Sequence, residues 1–353
     1  MRVCVVGGGL AGSLLAWRLG RAATGLRVDV FTGGRRGGDA TAASGGAVRC
    51  YEEHPEQRRL AIASMAELLA SRVLREWAEY RPTGAVYLAR DATGLDAAVA
   101  DIEHLVPGSA TAVATAELAR HGWAGLPAGG GAVVERAAGY TSPSRLRDAA
   151  LADADADADA DANADAGPGV AVHDTAAGPV RVDERGAVTC GDREYDAVVV
   201  AAGPWTTAVL AAGGLPSAGY RTRSIQYVVH RVDGWRPPHF VDEFTGLYGR
   251  PTADGGLLLG VPTDRWDVDP DGPAPVAGLA ERAAGLAAAR FPALRLGPIV
   301  RRACAADCYM TKPVLALRPV HPGLFTFTGG AGGAVKTALA ASALAAVQLT
   351  ASY

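Results

Sequence analysis

Three glycine-bearing segments of this chain have the composition and spacing to do chemistry. Gly7-x-Gly9-x-x-Gly12 directly follows the apolar run at residues 2–6 and opens a helical pattern. In that context Gly7 allows a tight turn, Gly9 lets backbone approach a pyrophosphate, and Gly12 lets helix and strand pack closely. Leu10 and Ala11 between them belong to a helix N-terminus, where free amides meet phosphate charge. The second segment, Ala201-Ala202-Gly203-Pro204-Trp205, ends the apolar run at 196–200. The third, residues 328–336, carries Gly329, Gly330, Gly332 and Gly333, then Ala334, Val335 and Lys336. Together they describe a dinucleotide site assembled from distant parts of one chain. The carboxylate that usually closes the second strand and binds a ribose is absent. Thr32 stands there, followed by Gly33, Gly34, Arg35 and Arg36. A threonine hydroxyl can bond a ribose hydroxyl, and the two arginines leave a 2′-phosphate, hence NADP, as an alternative.

These segments resemble the D-amino acid oxidase superfamily of FAD-dependent oxidoreductases, in its sarcosine oxidase and glycine oxidase branch, over nearly the whole chain. The resemblance implies that FAD is held by Gly7, Gly9, Leu10, Ala11, Gly12, Thr32, Arg35, Val172, Ala202, Gly203, Trp205, Gly329, Gly330, Gly332, Gly333, Ala334 and Lys336. It also implies that 329–333 run along the flavin ring and start a helix aimed at its pyrimidine edge. Reduced flavin gains negative charge near N1 and the C2 carbonyl, which free helix amides stabilise.

Only Lys312 and Lys336 are lysines in a chain with 34 basic residues. Lys336 stands where the sarcosine oxidase group has a lysine that binds the substrate carboxylate. Arg49, in Gly45-Gly46-Ala47-Val48-Arg49-Cys50-Tyr51, resembles the second carboxylate-binding position, and a guanidinium fork suits a carboxylate. The competing readings are a surface lysine and a structural ion pair. Tyr248 resembles a tyrosine lining the substrate pocket. These three, Lys336, Arg49 and Tyr248, are the implied catalytic residues.

Cys308-Tyr309-Met310-Thr311 resembles the family's Cys-Met-Tyr-Thr with the middle pair exchanged. In sarcosine oxidase-like members that cysteine carries FAD through a thioether. Lys312 stands near enough in sequence to lower the thiol pKa. Cys304 competes for the role, and an inert buried thiol is the alternative. Two departures concern the flavin face: Leu258 replaces a lysine that promotes reaction with oxygen, and Pro262 replaces a histidine.

The implied activity is oxidation of the C–N bond of an amino acid or N-substituted amino acid to an imine, by hydride transfer to flavin with oxygen as acceptor. A flavin dehydrogenase using another electron carrier, or a non-catalytic FAD-binding subunit of a larger complex, are the alternatives.

Elements must position these residues. Residues 2–6 and 26–31 read as buried strands around a helix, a βαβ opening with a right-handed crossover. Apolar residues from Leu60 to Trp77 have helical spacing. Residues 90–135 read as mixed and loop-rich. The stretch 152–167 alternates Ala and Asp, both poor strand formers, and reads as an exposed mobile extension. Residues 170–172, 180–190 and 193–201 read as strands, 225–232 and 246–260 as antiparallel strands with a turn at Asp254-Gly255-Gly256, 279–291 as a helix, 324–327 as a strand and 335–349 as a helix. The expected fold is α/β: a Rossmann-like FAD-binding domain (1–82, 139–218, 304–353) interrupted by an α+β substrate domain (83–138, 219–303) with a mainly antiparallel sheet.

Bulk properties exclude other classes. With 353 residues, 49% hydrophobic and 20% charged, the chain has globular composition and room for two domains. A net charge of −3 gives no field for nucleic acid or anionic lipid. Five cysteines fit no zinc or disulfide framework, and the seven histidines form no metal pair. No apolar run reaches the about 18 residues of a membrane span, and the first residues lack a signal-peptide pattern. We therefore expect a cytoplasmic flavoenzyme with a small-molecule substrate, and no metal, membrane or nucleic acid.

Overall fold

The computed structural model describes residues 1–22, 25–34, 39–159, 169–216 and 219–351. Arg35 and Arg36 lie outside the described residues, as does the second part of the Ala/Asp repeat.

A six-stranded sheet holds the first half of the site. Its order is Ala316–His321, Leu324–Thr328, Ala197–Val200, Arg2–Val6, Arg27–Phe31, Gly169–His173. All neighbours are parallel except the Ala316–His321 edge, which turns back on Leu324–Thr328. The central strands are apolar on both faces because helices cover them: Val3, Val5, Val28 and Val30 are fully buried. The helix Leu10–Ala22 packs against Pro143–Asp159 and Ala334–Ala351. All three glycine segments thus end strands or loops at the carboxyl edge of this sheet, where nucleotide sites form.

An eight-stranded sheet forms the second layer, in the order Leu296–Tyr309, Arg221–Val232, Gly256–Gly260, Tyr248–Pro251, His239–Asp242, Ala85–Ala89, Gly131–Glu135, Ala110–Ala114. It is antiparallel except where His239–Asp242 runs parallel to Ala85–Ala89. The expected α/β architecture with a mainly antiparallel second sheet is the one observed.

Several local expectations are corrected. The loop-rich reading of 90–135 missed the helix Leu95–Leu105, whose Leu95, Ala98 and Ile102 bury one face, and two strands. The strand Leu296–Tyr309, 14 residues long, was also missed. It pairs along Arg221–Val232 with bulges near Val229 and His230, and its two adjacent exposed arginines, Arg301 and Arg302, hide the alternation. Residues 180–190 form a hairpin rather than one strand.

The helical stretch after Pro55 breaks at Ser71, whose hydroxyl accepts from the Leu74 amide at 3.2 Å and starts a second short helix. The Ala/Asp repeat continues the helix Pro143–Asp159 and is not a mobile extension over its described part. Alanine is the best helix former. Ala150 and Ala154, one turn apart, are buried, and Asp153 accepts from Trp17 Nε1 at 2.8 Å and pairs with Arg21.

The last helix, Ala334–Ala351, has the length and apolarity to cross a membrane, contrary to the sequence expectation. Here it packs against Leu10–Ala22 and Pro55–Ala70 and buries Ala338, Leu339, Ala341, Ala345 and Leu349.

Candidate active site

A cavity of about 770 Å³ lies between the two sheets, within the usual size of cofactor and substrate sites. From the parallel sheet it receives Gly7, Gly9, Leu10, Ala11, Thr32, Ala202, Gly203 and Trp205. From the antiparallel sheet it receives Arg250, Leu258, Tyr248 and Tyr309. Gly329, Gly330, Gly332, Ala334 and Lys336 close it.

The first turn shows why its residues are glycines. Gly7 has φ +120°, and a side-chain carbon there would lie 2.4 Å from the Ala201 carbonyl oxygen. At Gly12 it would lie 2.0 Å from the Gly7 carbonyl oxygen. These contacts close the strand–turn–helix. Gly9 differs, because a side chain there would meet only Thr41 Oγ1, at 3.4 Å. Its backbone faces the cavity beside the helix N-terminus, where the Leu10 amide donates to Thr41 Oγ1 at 3.1 Å. Bare backbone and a helix N-terminus facing a large cavity fit a pyrophosphate. The residues present therefore fit a dinucleotide such as FAD.

The ribose position is built differently from the sequence reading. Thr32 Oγ1 donates to Asp174 Oδ1 at 2.7 Å, so a carboxylate reaches this corner from the end of the neighbouring strand. Val172 is not among the cavity residues, and its amide donates to Asp155 Oδ1 at 3.3 Å. Gly12 and Gly333 also lie off the lining, Gly333 against Gln57.

The cysteines are placed away from the cavity. Asp307 and Tyr309 line it, whereas Cys308 between them does not, so its side chain takes the opposite face of the strand. Burial pushes the Cys308 thiol up to about 11, and Lys312 is occupied by Glu56 at 2.7 Å. Cys304 bonds the Pro273 carbonyl at 3.3 Å and also lies off the lining. This geometry speaks against a thioether at either cysteine.

Arg49 and Lys336 are brought together. Arg49 Nη2 lies 2.8 Å from Glu52 Oε1, and Lys336 Nζ lies 3.0 Å from the same oxygen. Both are ion pairs without an aligned hydrogen bond at that oxygen. Arg49, Lys336 and Glu52 are all buried to about nine-tenths at the side chain. Burial opposes ionisation of Glu52, but the two cations outweigh it and hold the carboxyl below its ordinary range. Burial and the Arg49 charge lower the Lys336 ammonium, with Glu52 opposing. Lys336 is therefore not a surface lysine.

Sequence reasoning missed Glu52 although it stands three residues from Arg49. It also missed Glu135, which accepts the amides of Cys50 and Tyr51 at 2.7 and 2.9 Å and so holds the Arg49 strap. Burial raises the Glu135 carboxyl.

The opposite wall is formed by the hairpin Tyr248–Pro251 and Gly256–Gly260. Tyr248 lines the cavity, and its hydroxyl donates to the Gln226 carbonyl at 3.1 Å. Leu258 is buried against Tyr227 and Val229. Its cross-strand partner is Arg250, which also lines the cavity. His239 completes the wall. It is buried and has no partner for Nδ1, and burial together with Arg49, Lys336 and Arg250 keeps it neutral.

No curated protein matches the chain. The fold is shared with solved structures of low sequence identity. L-proline dehydrogenase from P. horikoshii superimposes with a TM-score of 0.77 at 17% identity, covering 99% of this chain and 93% of that one. Glycine oxidase from Geobacillus kaustophilus gives 0.73 at 21%, with coverage of 99% and 95%. Iminodiacetate oxidase from Chelativorans sp. BNC1 gives 0.73 at 18%, also with coverage of 99% and 95%. The DAO family of FAD-dependent oxidoreductases matches residues 2–347, nearly the whole chain, and the protein is a member of that family, with FAD as its cofactor.

Proposed function

We propose that the protein oxidises the C–N bond of an amino acid or N-substituted amino acid to an imine. FAD, when bound, supplies the acceptor for the hydride that leaves the substrate carbon. The observation that supports this reading most is the buried Arg49–Glu52–Lys336 cluster at the end of the cofactor cavity.

Two cations against one carboxylate leave one net positive charge, which a substrate carboxylate neutralises. Arg49 and Lys336 would hold that carboxylate, and holding it orients the neighbouring C–H and amine. The dry surroundings lower the pKa of the bound amine, favouring the neutral form. Its lone pair forms the C=N bond as the hydride departs, and the imine nitrogen sheds its extra proton to solvent. Tyr248, which lines the cavity with its hydroxyl donating to the Gln226 carbonyl, would face the substrate. The names of glycine oxidase and iminodiacetate oxidase, both similar in fold, accord with amine substrates carrying carboxylates.

Oxygen is the acceptor we propose for the reduced enzyme. A dehydrogenase passing electrons to another carrier is the second reading, and buried Leu258 among Tyr227 and Val229 favours it. Comparing oxygen consumption with dye reduction separates the two. The described residues contain no group of ligands suited to a metal, and we place the enzyme in the cytoplasm, where its five free cysteines suit a reducing compartment.

Anaerobic titration of the FAD-loaded protein with carboxylate-bearing amines tests the proposal. Bleaching of the flavin by such an amine is expected. In Lys336→Met the half-bleaching concentration should rise about 10-fold or more, the usual loss for a charged hydrogen bond. An unchanged concentration would remove Lys336 from the site.

A further inference from the structure

Arg250 is a buried cation that makes no ion pair among the described residues, with Asp254 acting on it only from beyond ion-pair distance. It is 8% exposed and its guanidinium stacks 4.1 Å from the centre of the Tyr140 ring. Its Nε donates to the Gly45 carbonyl, and Nη1 donates to the Pro251 carbonyl at 2.9 Å. No carboxylate oxygen among the described residues is recorded within ion-pair distance of it. Burial lowers its pKa to about 10, which still leaves it charged at neutral pH.

This isolation contrasts with the other buried arginines. Arg49 has Glu52, Arg147 has Asp39 and Asp148, and Arg290 has Asp242. Keeping a lone charge out of water is costly, and buried charges are ordinarily paired. Arg223, the third cavity arginine beside Arg49 and Arg250, caps the Thr263 carbonyl and stacks on half-exposed Trp266, so it is close to solvent.

Arg250 is also tied to the carboxylate end of the cavity. The Gly45 carbonyl that fixes it begins the strap that carries Arg49 four residues later, and His239 senses Arg49, Lys336 and Arg250 together. The unpartnered Nδ1 of buried His239 adds a polar atom to the same wall. Around this space lie three cations, Arg49, Lys336 and Arg250, and two carboxyls: Glu52, which pairs with Arg49 and Lys336, and Glu135, which accepts the Cys50 and Tyr51 amides. A substrate carboxylate held by Arg49 and Lys336 leaves Arg250 still without an ion-pair partner among the described residues.

We propose that Arg250 binds a second acidic group of the substrate, so that the enzyme selects dicarboxylic amines or amino acids. This rests on the C–N oxidation reading for the first carboxylate. Arg250 acts here as a specificity-determining residue, placed opposite Leu258 on the neighbouring strand.

The test is isothermal titration calorimetry of the FAD-loaded protein with glutarate and with pentanoate, which have equal chain length and differ by one carboxylate. The wild type should bind glutarate at least about 10-fold more tightly, the scale of a charge-assisted hydrogen bond. In Arg250→Met the ratio of the two constants should fall to about one, and Arg250→Lys should restore part of it. A purely structural role would weaken both ligands in proportion and leave the ratio intact, which would overturn the proposal. Equal binding of both ligands by the wild type would do so without any variant. If pentanoate binds and glutarate is not preferred, the second site fails alone. If neither binds, the carboxylate-binding reading fails with it.

Discussion

Replacing Glu52 by Gln removes the single negative charge shared by Arg49 and Lys336 while keeping nearly the same shape. Both cations sit within 3.0 Å of its Oε1 and are almost wholly out of water. Breaking a buried ion pair by deleting one partner costs about 3–5 kcal/mol, because the remaining charge has no compensation. Unfolding entropy of about 2.1 cal/mol/K per residue, summed over the 353 residues, converts that cost to a fall in Tm of about 4–7 °C. The same variant should bind carboxylates more tightly, since a ligand now supplies the missing charge. Its Tm should therefore recover on adding acetate, and by more than the wild type gains. Differential scanning calorimetry of both proteins with and without acetate reads this directly. A variant that melts with the wild type, or that ignores acetate, would refute the idea that Glu52 is the resident counter-ion of a carboxylate site.

Other consequences can be checked individually. Gly7→Ala places a methyl group 2.4 Å from the Ala201 carbonyl oxygen at φ +120°. Backbone strain of about 1–3 kcal/mol plus that clash should abolish FAD retention on a desalting column, and normal flavin content would contradict the turn's role. Acid precipitation of the wild type should release the yellow colour into the supernatant, because neither Cys308 nor Cys304 lines the cavity; colour retained in the pellet would overturn that reading. Because burial lowers the Lys336 pKa below 10.5, its charge is lost as pH rises through a value under 10.5. Pentanoate affinity measured by calorimetry should fall before that pH, and an affinity that is flat up to 10.5 would exclude the lysine. The Glu52 carboxyl is lowered from 4.5 in the folded state, so its stabilisation is complete above about 4.5 and is lost as pH falls below it. Acid unfolding of Glu52→Gln should therefore lack that part of the transition.

The parts of this molecule that could be read from sequence are those set by local chemistry. The Gly7–Gly12 turn depends on strand, turn and helix within a dozen residues, so its pattern is enough. Lys336 was legible through its rarity and its place at a helix start. The Ala/Asp repeat misled because its polar low-complexity composition reads as an exposed mobile extension, whereas the folded state uses alanine's helix preference and pairs Asp153 with Trp17 and Arg21.

The remaining features depend on contacts across the fold. Arg250 is fixed by the Gly45 carbonyl 205 residues away. Glu135 holds the Cys50 and Tyr51 amides across 85 and 84 residues. Thr32 finds its carboxylate in Asp174, just past the end of the strand Gly169–His173. Nothing in the neighbouring sequence of these residues marks them. Cys308 shows the converse: its motif reads well, but strand alternation turns the thiol away from the cavity.

The central claim is that Arg49 and Lys336 orient a carboxylate-bearing amine for oxidation. The most direct measurement is the anaerobic visible spectrum of the FAD-loaded protein during titration with a panel of amino acids and N-substituted amino acids, dicarboxylic members included. The account predicts bleaching of the flavin band by at least one of them, at a concentration that rises about 10-fold or more in Lys336→Met. A flavin that stays oxidised with every member of the panel, or that is bleached equally in the variant, would contradict it.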